Sequence, residues 1–252
     1  RAVELKHGTY RAAVRSEPVD LRCPPGALLG ALADHDAPAA LESTALHEQY
    51  GRFSILACCP LETLTLREGV LTDSAGRVLA ERDDEGIWSA LDAAFGAVQP
   101  GGPRPDGYAP GWIGYVGYEC GRHVERLPGR AVRDTRLPDL RLAFYDAVLV
   151  YDALEQAWSL LRLEFDRPPA GAGRGGEALR QVAAEADPAA AGPPPAAAEL
   201  ADAATRPAVR AESNFAPEAY RRAVARCVEY IAAGDIFQVN LSQRLTVPDA
   251  PA

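Results

Sequence analysis

The sequence has no methionine in 252 residues, and its first residue is Arg1. The expectation is therefore that residue 1 is not the natural start of the chain. No apolar run approaches the ~20 residues that a transmembrane helix needs, and no secretory signal segment is visible. Positive charge is in deficit, with 26 Lys and Arg against 35 Asp and Glu and a net charge of −9. That balance argues against nucleic acid and against an anionic membrane as partners, but not against a small anion in a local basic pocket. The five cysteines, Cys23, Cys58, Cys59, Cys120 and Cys227, include no C-x-x-C pair, and no histidine stands at metal-ligand spacing from one of them. Neither a disulfide framework nor a zinc site is expected. The thiols read as small core hydrophobes, and a reduced, cytoplasmic compartment follows. There is no internal repeat.

What is present is an ordinary globular balance, 48% hydrophobic and 24% charged, enough for a sizeable core. Residues 1–23 show no clear period. Pro24, Pro25 and Gly26 open a short helix through Ala33. AALEST at 39–44 reads as a short strand, and 53–59 as a strongly apolar strand ended by Pro60. Residues 61–67 alternate, turn at Glu68-Gly69 and return at 70–72; a second turn at 74–76 leads into 77–80, an antiparallel meander. Ile87, Trp88, Leu91, Ala94, Phe95 and Val98 follow the helical period over 86–98. GWIGYVGYEC at 111–120 is a glycine-spaced aromatic strand, and repeated glycine there implies close backbone approach or bends. Residues 140–151 read as one long strand with 158–165 as its hairpin partner. The stretch 168–207 is rich in Pro, Gly and Ala, brackets only a brief helical candidate at 177–185, and reads as a linker. The expected division is a domain at 1–166, a linker at 167–213 and the start of a second domain at 214–252.

The most informative stretch is SNFAPEAYRRAVARCVEYIAAGDIFQVNLSQRL, residues 213–245. Tyr220, Ala223, Val224, Cys227, Val228 and Ile231 mark one helix face, Pro217 suits a first helical position, and Gly234 suits the residue that ends the helix. A period-two strand is expected next, with Phe237, Val239, Leu241 and Leu245 on one side. The other side carries Gln238, Asn240, Ser242 and Arg244. Two amides, a hydroxyl and a guanidinium in a row suit a polar anionic ligand, or equally an edge strand with a solvated face.

AGDIFQVNLSQR closely resembles the opening of the chorismate-binding domain in the aminodeoxychorismate synthase component I and anthranilate synthase component I family. LESTALHEQYGRFSIL, GWIGYVGYECGRHVERLP and LPDLRLAFYDAVLVYD are similar, in family order, to further segments of these enzymes, whereas the first 37 residues match only loosely. The resemblance implies an α+β fold: a four-layer α/β/β/α sandwich of mostly antiparallel sheets, of which this chain holds the N-terminal part. It implies a tryptophan pocket at Glu42, Ser43, Tyr50, Arg52 and Phe53, offering an acid for an ammonium, a guanidinium for a carboxylate and aromatics for an indole. The bland alternative is a Glu42–Arg52 surface ion pair. It gives no catalytic role to His123, which reads as a surface histidine.

The resemblance further implies that chorismate is the substrate, that Mg²⁺ binds its carboxylate, and that a glutamine amidotransferase subunit supplies ammonia. The family's metal-binding glutamates, catalytic lysine and carboxylate clamp would lie beyond Ala252, so this chain alone is expected to be inactive. Related enzymes that add water to chorismate carry Lys where Gln238 stands. Water must lose a proton to attack, whereas ammonia brings its own lone pair and needs only orientation. Gln238 thus favours an amine-adding enzyme, and Asn240 favours the aminodeoxychorismate type, in folate synthesis, over anthranilate synthase. A reading of another class is a non-catalytic, tryptophan-binding regulatory module.

Overall fold

The computed structural model describes residues 9–43, 45, 47, 50–102, 108–127, 133, 136–186 and 211–247. The chain divides into two compact units, 1–192 and 193–252.

Among the described residues, the first unit contains two sheets. The six-stranded one holds, in spatial order, β2 (Ala39–Leu41), β3 (Phe53–Ala57), β10 (Ala147–Asp152), β11 (Ala157–Phe165), β1 (Tyr10–Val19) and β7 (Val98–Pro100). The five-stranded one holds β6 (Val78–Glu81), β5 (Val70–Thr72), β4 (Glu62–Arg67), β9 (Leu140–Phe144) and β8 (Trp112–Val116). Every pairing in these sheets is antiparallel except β1 with β7. Among the described residues, the α-helices of this unit are α1 (Leu29–Ala33), α2 (Asp84–Gly96) and α3 (Arg174–Glu185).

Side-chain alternation along the strands distributes the core. In β10, Leu149 packs with Leu28 and Leu32 near α1 and with Leu179 and Val182 of α3. Its neighbours Val148 and Val150 pack instead with Ile55, Leu161 and Ala143, and Ile113 of the other sheet joins them. In the five-stranded sheet, Leu64, Leu66 and Leu140 pack on Ile87, Leu91 and Ala94 of α2. The fold is thus mixed α and β with mostly antiparallel sheets. The glycine-spaced strand behaves as expected: a Cβ on Gly114 would lie 2.0 Å from the Arg141 carbonyl oxygen, so only glycine lets β8 approach β9 this closely.

In the first unit, four features depart from the sequence reading. The apolar stretch 140–151 is two strands in different sheets; the chain crosses between them at Tyr145 and Asp146, which period-two patterning on either side does not reveal. Residues 10–19, without a clear period, form β1, which pairs with β11 from Ala12↔Phe165 to Val19↔Trp158. The helix expected to reach Val98 ends at Gly96, because Val98 is recruited into the sheet edge beside Tyr10. The linker assignment for 167–213 is also corrected. Residues 174–185 are helix α3, with Leu179 and Val182 fully buried in the core of the first unit, where its small, Gly- and Ala-rich composition lets it pack closely. Residues 187–210 of that stretch lie outside the described residues.

In the second unit, β12 (Glu212–Ser213) precedes α4 (Pro217–Ala233), and β13 (Leu245–Thr246) follows. Pro217 opens α4, and Gly234, at φ 81°, closes it by donating to the Ile231 and Tyr230 carbonyls, as the sequence indicates. Its apolar stripe is not covered among the described residues: Val224, Val228 and Ile231 are exposed, and Cys227 is half-buried. The strand expected over 236–245 is confined to Leu245–Thr246, paired with Glu212–Ser213. A strand is stable only where a neighbour satisfies its backbone groups, and the described residues of this unit offer one two-residue edge.

Candidate functional site

The segment from Glu42 to Phe53 sits at one end of the six-stranded sheet. Antiparallel pairing of β2 with β3 sets its register, placing Leu41 opposite Ile55. Just beyond, the Ser43 hydroxyl donates to the Phe53 carbonyl at 2.7 Å, and the Ser43 amide donates to Ser54 Oγ at 3.0 Å. Arg52 donates through Nε and Nη2 to both carboxylate oxygens of Asp152, at 2.8 and 2.6 Å. The same guanidinium lies 5.0 Å from the Phe53 ring centroid, and Tyr108 meets Phe53 edge-on at 5.5 Å. Ser43, Arg52 and Phe53 are therefore brought together. Glu42 is exposed, and Tyr50, 79% exposed, stacks on His47 at 5.1 Å.

Asp152 is the residue that sequence reasoning missed here. It stands 100 positions from its partner, and no local pattern announces the pair. The Arg52 hydrogen bonds hold its carboxyl below the usual carboxylate range, and Asp152 in turn raises the pKa of Arg52. The alternative of a Glu42–Arg52 pair gives way to this bidentate one. An incoming carboxylate would have to share the Arg52 fork with Asp152 or displace it.

Gln238, Asn240, Ser242 and Arg244 are all exposed. The Arg244 backbone is anchored, its amide donating to Asn214 Oδ1 at 2.8 Å and its carbonyl accepting from the Asn214 amide at 3.1 Å. Residues 236–244 form no ladder, so the structure does not set these four side chains on one sheet face.

A cavity of about 320 Å³ lies at the edge of β8 and β9, lined by Ala37, Ile113, Tyr115, Arg141 and Tyr145 among others. Its wall is mainly apolar, with one guanidinium. His123, read as a surface histidine, is largely covered: its Nδ1 lies 2.6 Å from Asp84 Oδ1, and its carbonyl accepts from the Trp88 indole. Among the described residues, the one cluster of potential metal donors is His35, Cys58 and Cys59. Burial, with Cys59 alongside, pushes the Cys58 thiol up to about 12. No described helix is long and apolar enough to cross a membrane.

Comparison with known proteins agrees with the sequence motifs. The family described as chorismate binding enzyme matches residues 45–250, and the chain belongs to that family. Anthranilate synthase component 1 of Thermus thermophilus is 33% identical over 230 residues, covering 91% of this chain and 46% of the relative. Aminodeoxychorismate synthase component 1 of Klebsiella aerogenes is 30% identical over 217 residues, covering 82% of this chain and 41% of the relative. The chain thus spans less than half the length of these curated relatives. A crystal structure of anthranilate synthase component I from Streptococcus pneumoniae TIGR4 aligns with a TM-score of 0.47 and 20% identity, over 80% of this chain and 43% of that one.

Proposed function

We propose that this chain is part of an aminodeoxychorismate synthase component I, a chorismate-aminating enzyme that replaces the C4 hydroxyl of chorismate by ammonia for p-aminobenzoate and folate synthesis. A glutamine amidotransferase subunit supplies the ammonia, the compartment is the cytoplasm, and the two sheets with their helices belong to a four-layer α/β/β/α sandwich. The observation that carries the reading is QVNLSQR at 238–244. Gln238 offers a neutral amide where water-adding relatives carry a lysine base. An amide accepts a hydrogen bond from ammonia and donates one to substrate without removing a proton. Asn240 weighs toward the aminodeoxychorismate product.

Mg²⁺ belongs to the proposal as counter-charge to the substrate carboxylate. The His35, Cys58 and Cys59 cluster does not fit it, because Mg²⁺ is a hard cation that takes oxygen ligands. Its donors are expected beyond residue 252. A tryptophan site at Glu42, Ser43, Tyr50, Arg52 and Phe53 is also part of the proposal, with Asp152 as an internal competitor for the ligand's carboxylate.

A second reading, anthranilate synthase component I, is favoured by the Thermus thermophilus relative, which bears that name and matches 91% of this chain. Incubating the full-length protein with chorismate, Mg²⁺ and ammonia separates the two. The expected result is 4-amino-4-deoxychorismate on chromatography without anthranilate fluorescence. Anthranilate fluorescence would establish the second reading, and no product at all would favour a non-catalytic, tryptophan-binding module.

A further inference from the structure

We propose that His35, Cys58 and Cys59 form a binding site for Zn²⁺. The imidazole nitrogen and the two sulfur atoms all lie within 4.8 Å of one another. A tetrahedral zinc centre has Zn–S near 2.3 Å and Zn–N near 2.0 Å, which sets its donors roughly 3.5–3.8 Å apart. The donors therefore need to close by about 1.0–1.3 Å at most.

The fold assembles this cluster from two places that no sequence spacing connects. Cys58 and Cys59 occupy the corner where the chain leaves β3 in the six-stranded sheet for β4 in the five-stranded one. Cys59 adopts φ 54°, a left-handed conformation uncommon for a residue with a Cβ, and such strain persists where the surroundings enforce it. The enforcing contacts are visible. The Cys59 amide donates to the Asp36 carbonyl at 2.8 Å, and the Leu61 amide donates to the Phe144 carbonyl at 2.8 Å. His35 follows α1, its amide donating to the Leu32 carbonyl at 3.1 Å, and the Tyr145 hydroxyl donates to the Ala37 carbonyl at 2.7 Å. The segment bearing the imidazole is thus fastened to the corner bearing the thiols.

Two sulfurs and an imidazole select a borderline-soft ion over Mg²⁺ or Ca²⁺. Cys58 is fully buried, whereas Cys59 and His35 are half-buried, which gives the ion a route in from solvent. The fourth position is left for water. Bound zinc would staple the end of α1 to the crossing between the sheets.

The test uses the purified chain, kept reduced, stripped with a chelator and titrated with Zn²⁺ against a chromophoric competitor. Co²⁺ serves as a spectroscopic stand-in. The expected result is one equivalent of Zn²⁺ per chain and a cobalt spectrum with thiolate charge-transfer bands of two-thiolate intensity and a tetrahedral ligand-field pattern. Cys59→Ser and His35→Ala should each weaken binding by ~100-fold or more, since removing a ligand exceeds the effect of losing an outer-shell partner. Cys227→Ser should leave the stoichiometry unchanged. Absence of stoichiometric binding, an octahedral cobalt spectrum, or unchanged affinity in the two ligand variants would overturn the proposal. A Cys58–Cys59 disulfide in protein whose thiols were trapped on isolation would do so too, because it removes both sulfur donors. The wild-type cobalt spectrum decides the question even if a variant does not fold.

Discussion

A lysine in place of Gln238 would put a titratable amine where the chain has a neutral amide. If the amide orients ammonia, Gln238→Lys in the full-length protein should cut amination by ~100-fold, the lower range for a positioned group in proton-transfer chemistry. Chromatography with ammonia supplied directly measures this without the amidotransferase. Wild-type rates would mean that Gln238 has no such role. Arg52 and Asp152 give a second test at this scale. Because the Asp152 pKa is depressed in the folded protein, the pair's stabilisation is complete above the unfolded carboxylate pKa of about 4 and is lost as pH falls through the lower folded value. Arg52→Ala should lower the thermal midpoint at pH 7 and narrow its gap to wild type at about pH 3. Parallel midpoint curves for the two proteins would count against this linkage. Arg52 was visible in the sequence as a binding candidate; its partner was not, because an ion pair between distant strands leaves no local trace.

The elements legible in the sequence were those with a single environment along their length. The meander from β4 to β6 alternates because one face is buried, and α4 shows its caps in Pro217 and Gly234. Elements whose environment changes were harder to read. The stretch 140–151 keeps its apolar character while changing sheets, and β1 owes its place to pairing with β11 rather than to its own pattern. Helix α3 showed in the sequence as a brief helical candidate at 177–185, but its docking did not, since glycine and alanine suit both a linker and a closely packed helix. Its burial makes a definite demand. Leu179→Ala should cost about 2–5 kcal/mol, the usual range for truncating a fully buried leucine, read from urea unfolding of the whole chain. A loss under about 1 kcal/mol would mean that α3 is not part of the core.

Over the whole molecule, the placement of α3 moves the edge of the first unit from 166 to beyond Glu185, toward the division at 192/193. Trypsin can test this through Arg174, Arg180 and Arg210; Arg167 and Arg206 each precede a proline, and trypsin does not cleave Arg–Pro bonds. Cleavage requires local opening of the backbone around the scissile bond, and its rate follows the free energy of that opening. Arg174 begins α3, and Arg180 lies within it, joined to Glu17 of β1 at 2.7 Å. Opening either site undocks Leu179 and Val182 from the sheet, whereas Arg210 is not among the residues of that core. Mild digestion should therefore accumulate an N-terminal product ending at Arg210, with α3 retained, as read by intact mass. In Leu179→Ala, cleavage after Arg174 and Arg180 should accelerate while cleavage after Arg210 stays constant, because only the first pair of sites depends on docking. Early cleavage after Arg174 in the wild-type chain would return residues 167–186 to the linker and separate the helix from the core.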